Sequence, residues 1–128
     1  MSADFNDKRF HSFWKSVRYA ISGLVAALKQ ERNFRIHLLA AAVVLFLAAV
    51  LSVSTLEFAV LILVIAVTLS LELMNTAIER LVDLITIDKH PLAKAAKDIA
   101  AGAVLIFCIA SVVIGFFIFF EPMMELIQ

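Results

Sequence analysis

Glu72, Asn75, Thr76, Glu79 and Asp83 recur within residues 70–83, SLELMNTAIERLVD. On a helix of 3.6 residues per turn these five polar side chains fall within roughly a quarter of the circumference. Leu71, Met74, Ala77, Ile78, Leu81 and Val82 occupy the other arc. Residues 58–71 carry no charge, so the first carboxylate arrives while a hydrophobic span is still in progress. An ionisable stripe inside a span is costly and reads as a functional site by default. If the span enters near Phe58, Glu72 lies roughly 21 Å along the helix axis and Glu79 roughly 32 Å. The first depth is still hydrocarbon and suits a proton acceptor for a reaction at the headgroup plane. The second is the membrane surface, where a carboxylate reaches hydrated cations. Asn75 lies between the two.

A second set of polar residues answers the stripe. Lys94, Lys97 and Asp98 precede the small run Ala100, Ala101, Gly102, Ala103. Small residues let helices approach closely in lipid, which would bring Lys97 against the carboxylates. A cation beside several acids suits a metal-complexed polyphosphate, with Mg²⁺ held between carboxylate and phosphate oxygens, and Glu31 offers a further oxygen ligand. The simpler alternatives are a solvated helix end for Glu79 and Arg80, a surface position for Asp83, and cytoplasmic-side charges for Lys94, Lys97 and Asp98. Glu72 and Asn75 resist such readings. With glycine only at 23, 102 and 115, no glycine-rich phosphate loop can form. His11, His37 and His90 lack metal-ligand spacing. The single cysteine, Cys108, reads as a small apolar residue.

The elements that must position these groups follow from hydropathy. An apolar fraction of 63% and a mean hydropathy of +1.01 exceed what soluble domains show and predict an all-α integral membrane protein of one domain, residues 1–128. Residues 1–9 are polar and expected to fray. Phe10, Phe13, Trp14, Val17, Ile21, Leu24 and Leu28 recur at helical spacing, which predicts an amphipathic helix over 10–29 lying at the membrane interface. Residues 29–37 read as a polar hinge. Apolar segments predict spans over 36–56, 58–82 and 92–120, with Pro91 starting the last and Glu121-Pro122 ending it. Seven of the eleven basic residues lie in 1–35 and the other four in 80–97, while 51–57 and 121–128 hold none. This asymmetry places the N-terminus and the 80–97 segment of a multi-pass protein in the cytoplasm, with the 52–57 turn and the C-terminus outside. No signal peptide is evident.

The string Glu72-Leu-Met-Asn75-Thr-Ala-Ile-Glu79-Arg-Leu-Val-Asp83, followed by Ala96-Lys97-Asp98 and Ala101-Gly102-Ala103-Val104, resembles the small prokaryotic diacylglycerol kinase family. The resemblance extends over nearly the whole chain, including Glu31-x-x-Phe34-Arg35. Residues 31–37, ERNFRIH, and 88–94, DKHPLAK, are similar to the Gram-positive branch, which usually phosphorylates undecaprenol. The resemblance implies a bacterial cell-membrane homotrimer that transfers the γ-phosphate of ATP to a lipid alcohol, with Mg²⁺ as cofactor and no nucleic-acid partner. It implies that Glu72 is the general base and that Asn75 orients the catalytic region. Glu31 and Glu79 would bind the metal. Tyr19, Asp88, Lys89, His90, Lys97 and Asp98 would join Glu31 and Glu79 around ATP, and Asn33, Phe34 and Arg35 would contact the lipid substrate.

Two other functions compete: a diacylglycerol kinase making phosphatidic acid and, from a different class, a small proton- or cation-coupled transport subunit using the Glu72 stripe as a relay. Against transport, only the second span carries a buried stripe. Three short spans would hardly shield Glu72, Asn75 and Glu79 from lipid alone, so partner subunits are expected.

Overall fold

The computed structural model describes residues 2–86 and 88–127, with side chains from Ser12 onward, so Phe10 of the expected amphipathic stripe, and His11 beside it, lie outside the described side chains. Four helices follow one another: α1 Ser2–Gln30, α2 Arg32–Val50, α3 Thr55–Ile85 and α4 Pro91–Glu125. The last three are each long and apolar enough to cross a membrane. The chain divides into two compact units, Met1–Arg32 and Asn33–Gln128.

The first unit is α1. It begins at Ser2, eight residues before the expected start, so the polar segment 2–9 is helical. Trp14 and Tyr19 are exposed, as are Lys15 and Arg18, and Phe13 meets Trp14 edge-on at 5.9 Å between ring centroids. The break that follows is a single residue: Glu31, whose N–H still donates to the Ala27 carbonyl at 2.8 Å. The expected hinge over 29–37 is therefore mostly helix, and Asn33, Phe34, Arg35 and His37 all belong to α2.

In the second unit α2 stops at Val50 rather than at 56. The Ser52 and Val53 N–H groups fold back onto the Ala49 and Ala48 carbonyls at 3.3 and 3.2 Å, with Ser52 in the left-handed region at φ 52°. This is a Schellman closure built on serine where glycine is the usual choice. Two residues later Ser54 caps α3: its Oγ accepts from the Glu57 N–H, and the Glu57 carboxylate accepts from the Ser54 N–H at 2.8 Å. This reciprocal capping box starts α3 at Thr55 and satisfies two backbone donors that the helix itself leaves open.

The α3 and α4 helices pack on each other. Near the α2–α3 turn the buried side chains Ala48, Leu61 and Ile118 form a cluster, joined by Val44, Phe58, Ile114 and Phe119. Ile114, Ile118 and Phe119 thus turn inward, while Phe116, Phe117 and Phe120 stay exposed. Half-way along, the Thr68 and Ser111 hydroxyls meet at 3.4 Å. Each is also anchored in its own helix, on the Val64 and Phe107 carbonyls. At the other end, α3 closes at Thr86, whose N–H donates to Val82. His90 caps α4, its Nδ1 accepting from the Leu92 N–H at 3.2 Å, and Pro91 takes the first helical position, where no N–H is missed. Pro122 does not end α4, which runs on to Glu125. So near the terminus the proline forfeits only its own bond to the carbonyl four residues back.

Candidate active site

The polar stripe of α3 is the continuation of its packed face. Leu61, Val64 and Thr68 precede Glu72 at helical spacing, and the first two are buried. Burial then falls off along the stripe. Glu72 is 4% exposed and Asn75 7%, Glu79 is half-buried, and Asp83 is open. One rigid element therefore carries acids from a packed interior to an accessible end. Within this one chain Glu72 and Asn75 are already buried, while Glu79 is left half-buried.

Asn75 Nδ2 donates to Glu79 Oε1 at 2.9 Å, one turn further on. Its Oδ1 is buried and has no hydrogen-bond partner among the described residues. A buried carbonyl left without a donor costs on the order of 1–3 kcal/mol, so this amide oxygen has an unmet demand for a hydrogen-bond donor. Glu72 Oε2 lies 4.0 Å from His37 Nε2 on α2. Spacing along the sequence gives no hint of that proximity.

Below this level, toward the α2–α3 turn, His37, Ala41, Val44, Leu61, Thr68, Cys108, Ser111 and Gly115 are among the residues enclosing an apolar cavity of about 420 Å³ between α2, α3 and α4. Hydroxyls at Thr68 and Ser111 are spent on carbonyls and on each other, so the walls are chemically aliphatic.

At the opposite end the Lys97 ammonium donates to the Asp83 carboxylate, joining α4 to α3, while Lys94 pairs with Asp98 within α4. These four line a groove of about 710 Å³ with Asp88, Lys89 and His90 from the α3–α4 connection. The connection is stiffened where the Asp88 N–H donates to the Thr86 hydroxyl at 3.2 Å. Asp88, Lys89, His90, Lys97 and Asp98 are thus brought to one open, mixed-charge groove, and Asp83 is a member that the expected ATP set omitted. Glu79 does not line it. Phe34 is buried in α2, whereas Asn33 and Arg35 beside it are exposed. Tyr19 stands exposed on α1, and Glu31 is half-buried at the helix break.

Among the described residues no three of His, Cys, Asp or Glu gather as a metal cage. The acids present instead suit a hard cation that keeps much of its own hydration and shares phosphate oxygens, the habit of Mg²⁺. A buried carboxylate, a half-buried carboxylate and a charged groove thus follow one another along α3, an order suited to moving a charged group onto an alcohol at the edge of hydrocarbon.

Comparison with known proteins agrees with that chemistry. Residues 18–119 match the family model described as prokaryotic diacylglycerol kinase. The chain is 47% identical over 118 residues to an undecaprenol kinase of Bacillus subtilis, covering 91% of this chain and 96% of that one. It is 42% identical over 112 residues to a diacylglycerol kinase of Synechocystis, covering 87% and 64%. A diacylglycerol kinase of Helicobacter pylori is 38% identical over 99 residues, 77% of either chain. These matches displace the transport reading: the chain belongs to the prokaryotic diacylglycerol kinase family and is a multi-pass, ATP-dependent membrane lipid kinase.

Proposed function

We propose that this kinase phosphorylates undecaprenol, with the γ-phosphate of ATP as the transferred group and Glu72 as the general base. The observation that carries the reading is the burial of Glu72 beside His37, which lines an apolar cavity, on the same helix that carries Asp83 into a charged groove. The 47% identity to an undecaprenol kinase supports the choice of lipid. The apolar cavity suits the first isoprene units of a long prenyl chain, and the family resemblance assigns lipid contacts to Asn33, Phe34 and Arg35. Glu72 takes the hydroxyl proton as the lipid oxygen attacks phosphorus, and Asn75, through its bond to Glu79, orients that second carboxylate.

Around the nucleotide, Lys97 and Lys89 balance phosphate charge, and Asp88, His90, Asp98 and Tyr19 complete the surround. Glu31 and Glu79 are the residues that would hold Mg²⁺, which when bound neutralises charge on the phosphates. Their carboxylate chemistry fits that ion. Catalysis on this plan is chiefly positioning and charge neutralisation. The basic bias of 1–35 and 80–97 supports a cytoplasmic N-terminus and groove, in a bacterial cytoplasmic membrane with α1 at the interface. A homotrimer rests on the family resemblance alone.

The test is a labelled-ATP assay in which undecaprenol and diacylglycerol are offered in parallel. Label passing mainly to undecaprenol is the expected result. Exclusive labelling of diacylglycerol would make this a phosphatidic-acid-forming enzyme, the alternative favoured by the Synechocystis and Helicobacter relatives.

A further inference from the structure

Each turnover leaves one proton on the base, and a base inside a packed membrane bundle must lose it before acting again. Glu72 is badly placed to do so directly, because its side chain is only 5% exposed. Among the described residues His37 is the ionisable side chain set within ion-pair distance of it, with Nε2 4.0 Å from Glu72 Oε2, and it lies in the second turn of α2, directly after the exposed Arg32 and Arg35 that mark the charged end of that helix. That separation exceeds hydrogen-bond length by about 1 Å, a gap that a small side-chain rotation closes. His37 comes from α2 and Glu72 from α3, so the pair is made by folding and not by helical spacing. Across the cavity that His37 lines, α4 contributes Cys108, and the other polar groups on its wall are the Thr68 and Ser111 hydroxyls. Those hydroxyls already donate to carbonyls of their own helices.

We infer that His37 is the proton exit of the catalytic base. This rests on the reading of Glu72 as base. The lipid O–H proton passes to the Glu72 carboxylate as the O–P bond forms and the bond from γ-phosphorus to the ADP oxygen breaks. The Glu72 carboxylic acid then gives that proton to the Nε2 lone pair of neutral His37, and the imidazolium releases a proton from Nδ1 to water. The carboxylate is restored, one proton has left the bundle, and the imidazole, now the Nε2–H tautomer, regains its Nε2 lone pair by proton exchange with water or a ring flip before the next turnover. Imidazole suits the task because its unperturbed proton affinity lies near neutral pH. His37 is therefore a positioning and relay residue that acts through Glu72.

The proposal predicts a split that a packing role would not produce. In His37→Gln, which keeps bulk and polarity but carries no proton, the first turnover proceeds at the wild-type rate. Steady-state kcat falls tenfold or more, with KM for ATP and for lipid unchanged. In His37→Ala, added imidazole restores the steady-state rate. Wild-type kcat in His37→Gln overturns the relay, as does a first turnover slowed as much as the later ones or an alanine variant that imidazole does not relieve. Glu72→Gln, run alongside, separates the two ideas. An active Glu72→Gln removes the base itself, while an inactive one beside a normal His37→Gln removes only the relay.

Discussion

Asn75 Nδ2 and Glu79 Oε1, 2.9 Å apart on successive turns of α3, couple a buried amide to a half-buried carboxylate. The same amide holds its Oδ1 in the interior without a protein donor among the described residues. This tie orients the Glu79 carboxylate, the group proposed to hold a cation, while the α3 backbone sets its distance from Glu72.

Replacing Glu72 by Gln keeps the shape and removes the proton acceptor. We expect kcat to fall by about 10²–10⁴, the usual contribution of a general base. The variant in detergent should elute as wild type in size-exclusion chromatography. Near-normal turnover would exclude Glu72 from the chemistry.

Lys97 joins α4 to Asp83 across an accessible groove. An exposed pair of this kind contributes about 0–1 kcal/mol to stability. Lys97→Ala should therefore leave thermal unfolding nearly unchanged. Loss of a charge-assisted bond to a phosphate should raise KM for ATP by about tenfold or more. A large drop in melting temperature with unchanged KM would make Lys97 a structural residue.

Ser52 occupies the left-handed region at the α2 terminus. A side chain there costs on the order of 1 kcal/mol relative to glycine. Ser52→Gly should raise the melting temperature in detergent by a few degrees. A decrease would show that the serine side chain makes a compensating contact.

Gly102 lies within α4, and a β-carbon built there meets nothing within 4 Å. Gly102→Ala should stabilise the helix by about 1 kcal/mol if that space is lipid. Destabilisation with loss of the oligomer, read by light scattering in detergent, would show that a second copy packs against this position.

Much of this arrangement is legible in the residues. The stripe from Glu72 to Asp83 declares itself because polar side chains at helical spacing interrupt a charge-free run. Pro91 marks the start of α4 for the reason any proline favours a first helical turn. The Ser54-x-x-Glu57 spacing was equally readable as a capping box and would have set the α3 boundary. By contrast, the early stop of α2 depends on Ser52 adopting a conformation that its type does not advertise. The approach of His37 to Glu72 depends on the axial register between α2 and α3, which no periodicity within either helix encodes. The small run 100–103 is legible as a site of close approach, and α4 does pack on α3 with Lys97 meeting Asp83, although Gly102 itself meets nothing of this chain. The burial of Glu72 and Asn75 in one chain required knowing that Thr68, Val64 and Leu61 extend the same face onto neighbouring helices.

Because Glu72, Asn75, Glu79 and Asp83 ride on one unbroken helix, none can change its height independently of the others. Any tilt or vertical shift of α3 moves them together, like marks on a dipstick, against a fixed water boundary. A host bilayer of mismatched thickness must then either drown the base or lift the cation-holding end away from its reactants. Turnover should accordingly peak at one acyl-chain length when the protein is reconstituted across a series of phosphatidylcholines.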